Sequence, residues 1–349
     1  MEEIKHKRRV HYSGKYPKKF EEKYKEQNPE KYKDTVAHVI SKGSTPAGMH
    51  ISIMVNEILD FLQIKPGQHG LDCTLGYGGH TRKMMEQLLG QGFVVGLDVD
   101  PIESEKTIKR NLDAGFGEDI FKFELTNFEN IDKVAQKYGK FDFVLADLGV
   151  SSMQIDNPER GFSYKIDGPL DLRLDPTHGQ SAAERLHSIS QEEFVGMMVE
   201  NSDEPYAEEI ANQIVGTLHR GGVIDTTTAL YKEIEVALSK VKLSQAERKE
   251  ALKKAGARVF QALRIDVNSE FEVLYTFLEK LPEKLKSGGR VAILTFHSGE
   301  DRLVKKAFKQ GLRDGVYSEI SDNVIRPTSE ECFNNPRAKS TKLRWAVKA

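Results

Sequence analysis

Apolar residues recur at helical spacing from Ile53 onward (Ile53, Met54, Ile58, Phe61, Leu62) until Lys65-Pro66-Gly67 interrupts them. The stripe predicts an amphipathic helix, and the Pro-Gly pair its stop. Short apolar runs then alternate with amphipathic ones. Residues 70–74, 93–97, 121–125 and 141–146 read as strands, and residues 81–89, 103–112 and 131–138 as the helices around them. Such alternation predicts a parallel sheet with helices on both faces. After Asp147 the pattern changes. A Gly/Pro/Asp-rich stretch runs to Pro176, and helical periodicity follows over 192–199, 206–218, 227–238 and 245–255. The alternation resumes with a helix over 260–278, a strand over 290–296, a helix from Glu300 and a strand over 343–347. The expected organisation is an α/β core discontinuous in sequence (residues 50–163 and 260–349) with a helical substrate domain, residues 164–259, inserted into it.

Composition narrows the class. The chain has 349 residues, 38% apolar and 30% charged, enough for one large domain with an insertion. The net charge of −2 excludes a uniformly basic coat but leaves room for a localised basic face. Two cysteines, Cys73 and Cys332, lie far apart and the histidines are scattered. That argues against a disulfide framework or zinc site and for a reducing compartment. With no run near the roughly 20 apolar residues of a membrane span and no signal-type leader, the expectation is a soluble cytoplasmic protein without a membrane partner. Residues 1–49, rich in Lys, Arg and Tyr among interleaved acids, read either as an RNA-touching arm or as a solvated extension.

Three loops carry the chemistry. In Asp72-Cys73-Thr74-Leu75-Gly76-Tyr77-Gly78-Gly79-His80 a strand runs into a glycine loop that opens a helix. The dinucleotide fingerprint needs glycine where Thr81 stands, and no P-loop is present. A glycine loop without a phosphate cradle fits a nucleoside ligand lacking phosphate, such as S-adenosylmethionine (SAM). Asp98 ends the next strand about 20 residues on, where a carboxylate can accept ribose hydroxyls; the alternative is a turn before Pro101. Asp147-Leu148-Gly149-Val150-Ser151-Ser152 ends the fourth strand, on the side where doubly wound sheets bind ligands. An exocyclic amine has its lone pair delocalised into the ring, so its methylation needs acceptors for the NH2 hydrogens and an aligned nitrogen. Asp147 and nearby carbonyls are such acceptors, whereas carbon methylation of cytosine needs a cysteine nucleophile.

Further candidates are Phe162 for stacking on a base, Arg160 and Arg173 for phosphate or for pairing with aspartates, Arg264 with Asn268 one helical turn away, and His297 at a strand end. Ser298 with Asp301 reads as a helix capping box. The basic tail residues Arg337, Lys339, Lys342 and Arg344 face either RNA or solvent.

Taken together these runs resemble the bacterial small-subunit rRNA cytosine-N4 methyltransferase family (the MraW type). The stretches are residues 50–57, the Asp72 to His80 loop, Asp98-Val99-Asp100-Pro101, the Asp147 to Ser152 loop, Arg160-Gly161-Phe162-Ser163, Asp167-Gly168-Pro169-Leu170-Asp171-Leu172-Arg173, Ser181-Ala182-Ala183-Glu184, residues 260–268, Phe296-His297-Ser298 with Glu300-Asp301-Arg302, and Asn335-Pro336-Arg337. The resemblance begins near His50 and runs to the C-terminus. It implies an α/β class I SAM-dependent methyltransferase (Rossmann-like) sheet with an inserted helical domain, acting on 16S rRNA within the small ribosomal subunit, with SAM as cofactor; no residue is singled out as a metal ligand, and a metal requirement stays open. It implies SAM contacts at Gly78, Gly79, His80, Asp98, Phe128, Asp147 and Gln154, with Asp147 catalytic. Ser151, Ser152, Arg160, Phe162, Arg173, Arg264 and His297 fall on the substrate side. A monomer and a homodimer both remain open, as do a SAM-retaining assembly factor and a relative with a different rRNA address. Two positions depart from the family pattern: Ser52 replaces a usual proline, and Gly299 a usual leucine.

Overall fold

In the computed structural model, which describes residues 52–349, strands β1 (His69–Asp72), β2 (Phe93–Asp98), β3 (Phe121–Leu125), β4 (Phe141–Asp147), β5 (Leu285–Thr295), β6 (Tyr317–Ile320) and β7 (Lys342–Lys348) form one sheet. Their order is β3-β2-β1-β4-β5-β7-β6. The first five are parallel, and β7 runs antiparallel between β5 and β6. This is the class I methyltransferase sheet. The parallel sheet expected from the alternation before Asp147 is found in β1 to β5; the last strand, expected over 343–347 without a direction, runs antiparallel, because alternation along a chain shows that a strand exists but not its direction. The short strand β6 was not foreseen.

The parallel strands are buried on both faces, with Leu71, Val95, Val144 and Ile293 fully enclosed. Helices α1 (Val55–Leu62), α2 (Gly79–Gln87), α3 (Pro101–Asp113) and α4 (Ile131–Tyr138) belong to this layer. Asp100 caps α3 by accepting N–H bonds from Ile102 and Glu103, and Pro101 supplies the preset φ at the first helical position. A short helix, α5 (Ser152–Asp156), follows β4, closed at its start by a reciprocal Ser151/Gln154 capping box.

A separate apolar cluster is built by α6 (Ala182–Ser188), α7 (Gln191–Ser202), α8 (Ala207–His219), α9 (Thr227–Ser239) and α10 (Gln245–Val267), with Phe194, Ile210, Ile234 and Leu263 at its centre. Two helices expected over 245–255 and 260–278 form with a different break. Helix α10 continues through Gly256, and the chain turns at Ser269 (φ 49°) before α11 (Glu270–Lys284). Gly256 does not end the helix; it makes room for a ring, since a Cβ there would lie 2.6 Å from Tyr231. The expected junction at residue 260 therefore falls inside a continuous helix.

After β5 comes α12 (Ser298–Arg313), whose expected Ser298–Asp301 capping box does not form. Asp301 instead pairs with Arg344 at 2.7 Å and Lys342 at 2.9 Å on β7, so two of the tail cations foreseen as free tie α12 to the sheet. A last short helix, α13 (Ser329–Asn334), precedes β7.

Candidate active site

The expected nucleoside-side residues converge at the carboxyl ends of β1, β2 and β4. The backbone N–H of Gly76 donates to one oxygen of Asp98 at 2.8 Å, and that of Asp100 to the other at 2.9 Å. Each oxygen keeps lone pairs for further donors. Gly78 is left-handed (φ 78°), and a Cβ on it would lie 2.7 Å from the Thr107 methyl; only glycine lets the loop pass so close to α3. Burial pushes the Asp98 carboxyl up to about 6, offset in part by those two N–H donors. Phe128 stands three residues beyond Leu125, the partner of Asp98 in the β2–β3 register, and its ring meets Phe277 edge-on at 5.2 Å.

Asp147 ends β4. Its N–H donates to the Thr74 hydroxyl at 2.7 Å, and one carboxylate oxygen lies 3.5 Å from His80 Nδ1. The other oxygen, Oδ1, is buried without a partner. Burial raises the Asp147 carboxyl to about 6; His80 opposes the shift, and Asp72 and Glu300 add to it. His80 is itself buried and held through Nε2 to the Ile53 carbonyl at 2.9 Å. Beneath them Asp72, fully buried, accepts the Thr81 hydroxyl at 2.5 Å.

The substrate-side candidates separate. Arg160, expected at phosphate or paired with an aspartate, is buried and takes the aspartate, donating to Asp100 at 2.6 Å and to the Leu174 carbonyl at 2.8 Å. Gln154 donates to the same Asp100 oxygen at 2.9 Å while its carbonyl caps Ser151. Arg173 binds Asp171 through two N–H groups, at 2.8 and 2.7 Å. Phe162 is half-buried against the helical cluster, 5.9 Å from the Arg160 guanidinium. The side chain of Ser152 and residues 1–51, including the basic arm, lie outside the described residues. Arg264 is bound twice by Glu270, at 2.7 and 2.8 Å. Asn268 clamps a distant turn, accepting from Leu174 N–H and donating to the Leu172 carbonyl.

His297 sits at the end of β5 beside Glu300 at 3.2 Å, and neither ring nitrogen has a hydrogen-bond partner. Burial would raise the Glu300 carboxyl, but His297 and Arg264 outweigh it and hold it low. Glu270, His297 and Glu300 present ligand atoms within 4.8 Å of one another. Arg264 already neutralises Glu270, and Phe296 N–H donates to Glu300 at 2.8 Å, so the group reads as an ion-pair network. Gly299, where the family carries leucine, is accounted for by Phe271: a Cβ would lie 2.5 Å from that ring.

Thr74, Asp72, Asp100, Glu270 and Glu300 were not named as site residues, although Asp72 opens the glycine loop and Asp100 stands before Pro101. The residues at the strand ends fit SAM: a carboxylate with spare lone pairs in Asp98, a left-handed glycine bend at Gly78, and an orphaned acceptor in Asp147 Oδ1. When bound, SAM supplies an electrophilic methyl group on a sulfonium.

Residues 47–349 match the model of the MraW methylase family. Ribosomal RNA small subunit methyltransferase H 1 of Agathobacter rectalis is 67% identical over 348 residues, covering 100% of this chain and 99% of that protein. Ribosomal RNA small subunit methyltransferase H 2 of Alkaliphilus metalliredigens is 59% identical, covering 99% of each chain. Ribosomal RNA small subunit methyltransferase H of Pseudoalteromonas atlantica is 36% identical and covers 86% of this chain and 98% of its own. A sheet whose order is that of a class I methyltransferase, a SAM-type glycine loop and this similarity agree: the chain belongs to the MraW methylase family, whose members are SAM-dependent methyltransferases.

Proposed function

We propose that this chain methylates N4 of a cytidine in the decoding region of 16S rRNA, acting in the cytoplasm on the small ribosomal subunit. The observation that carries this reading is Asp147 Oδ1, a buried acceptor without a partner at the end of β4. An exocyclic NH2 placed there donates one hydrogen to the carboxylate, which draws the nitrogen lone pair out of conjugation and orients it for in-line attack. Thr74 fixes the Asp147 backbone, and His80 fixes its second oxygen. Carbon methylation through a cysteine is disfavoured, because burial raises the Cys73 thiol well above its usual range and a thiol that cannot ionise is a poor nucleophile. Catalysis in this reading is positioning and charge complementarity, with no covalent enzyme intermediate. Asp98 and the Gly76–Gly78 turn serve the nucleoside of SAM, with Gly79, His80, Phe128 and Gln154 around it.

The test offers methyl-labelled SAM and purified protein to small subunits from a strain lacking this gene, with naked rRNA in parallel. Digestion to nucleosides and mass spectrometry then identify and map the product. N4-methylcytidine in the decoding region, lost with Asp147→Ala, is the expected result. Label at another nucleotide would overturn the address, and label on carbon the chemistry.

A further inference from the structure

Helix α12 begins one residue after His297 and carries five cations, Arg302, Lys305, Lys306, Lys309 and Arg313, all exposed. At 3.6 residues per turn these positions fall within an arc of about 100°, forming one stripe about 16 Å long. The opposite face is anchored, with Val304 and Phe308 buried in the core beneath the sheet. The acids of the helix do not neutralise the stripe. Glu300 is buried against His297, and Asp301 is turned inward to Lys342 and Arg344. Arg302 reaches Asp203 only at 4.0 Å, with both side chains about two-thirds exposed (69% and 67%), a contact worth little in water. Among the described residues no carboxylate lies within ion-pair distance of Lys305, Lys306, Lys309 or Arg313; Arg313 donates only to Gln310. On a chain of net charge −2, five like charges on one helix face repel one another and concentrate positive potential.

Position gives the stripe its meaning. Strand β5, which leads into α12, pairs with β4 so that Leu294 stands beside Asp147. The stripe therefore starts at the acceptor side of the site and runs outward along α12. We propose that it is the track for the phosphates of the rRNA strand flanking the target base. This inference rests on the rRNA reading above. Phosphate contacts fix register without reading sequence, and an unpaired strand with a splayed-out base needs such a rail on the side from which it leaves the pocket.

The experiment measures binding of the full chain to small subunits and to naked rRNA over a range of salt concentrations. It compares wild type, a triple variant Lys305→Gln, Lys306→Gln, Lys309→Gln, and a control with Lys109→Gln, Lys133→Gln and Lys140→Gln at scattered exposed sites. Each lost phosphate contact removes roughly 0.7 from the slope of log affinity against log salt for a single strand. The stripe variant is expected to lose about 2 in slope and on the order of ten- to a hundredfold in affinity at 0.1 M salt. SAM affinity and melting temperature should match wild type, and the control should keep the wild-type slope. An unchanged slope overturns the proposal. Binding lost on subunits but kept on naked rRNA also overturns it and makes a ribosomal protein the occupant. Failure of the functional reading shows separately, as wild-type protein that binds RNA with a normal slope yet transfers no methyl.

Discussion

Arg160 and Asp100, sixty residues apart in sequence, form a buried ion pair with 2.6 Å between Nη1 and Oδ2. Asp100 caps α3 with one oxygen and holds Arg160 and Gln154 with the other. The pair thus ties the nucleoside side of the site to the loop after β4. Removing one partner leaves a charge buried without compensation, which costs about 3–5 kcal/mol. Arg160→Ala should lower stability by that order in denaturant unfolding, and Arg160→Lys should recover only part of it, since a single ammonium cannot reach both Asp100 and the Leu174 carbonyl. A wild-type midpoint in Arg160→Ala would show the pair to be dispensable.

Asp147 and Asp98 both have carboxyls raised to about 6 by burial, and both accept most strongly, with all their lone pairs, when ionised. Methyl transfer should therefore fall as pH drops through about 6, and SAM affinity should weaken in the same window. The stability linkage has the opposite sense. The fold favours the protonated forms, so these groups contribute stability that is lost as pH rises through about 6. The difference in melting temperature between Asp147→Asn and wild type should shift in favour of the variant from pH 5 to pH 8, although the variant is inactive. A pH-independent difference would place the raised carboxyl elsewhere.

Gly78→Ala tests the nucleoside loop. The new methyl meets Thr107 at 2.7 Å on a left-handed backbone, so the loop must move. Calorimetry should show SAM binding weakened by about tenfold or more, since strain at such a position is of order 1–3 kcal/mol. Unaltered affinity would mean that SAM does not lie against this turn.

The Leu172–Leu174 turn, with Leu172 left-handed at φ 64°, is held by the Asn268 side chain. Asn268→Ala strands the part-buried Leu174 N–H and Leu172 carbonyl, at about 1 kcal/mol, the low end of the cost of groups left unpaired. Limited proteolysis should cut residues 170–180 faster in the variant. Equal rates would assign the turn's order to Arg173 and Asp171 instead.

Cys73→Ala separates nitrogen from carbon chemistry. Cys73 is buried in the core, and its loss should cost stability while leaving the rate per folded molecule within about twofold, because nitrogen methylation needs no covalent nucleophile. A rate loss of several orders with intact SAM binding would restore a covalent mechanism.

The sequence by itself determined six of the seven strands, most helices and the strand-end chemistry. Asp98, Gly78 and Asp147 were legible because each stands where a buried apolar run gives way to a turn, a signal contained in a few neighbouring residues. Phe128 had no such signal and came from the family resemblance alone. Tertiary structure decided what lies far apart in the chain. The antiparallel course of β7 depends on pairing with β5, and the Arg160–Asp100, His80–Asp147 and Asn268–Leu174 contacts on chain segments brought together by the sheet. The helix passes through Gly256, where Tyr231 packs, and breaks only at Ser269. A side chain's spacing shows which face it occupies, but whether an arginine meets a carboxylate or solvent depends on what another part of the chain places opposite it. For that reason Arg160 and Arg173, which the sequence left open to phosphate or to an aspartate, are in the folded protein held by Asp100 and Asp171, and Arg264 is held by Glu270.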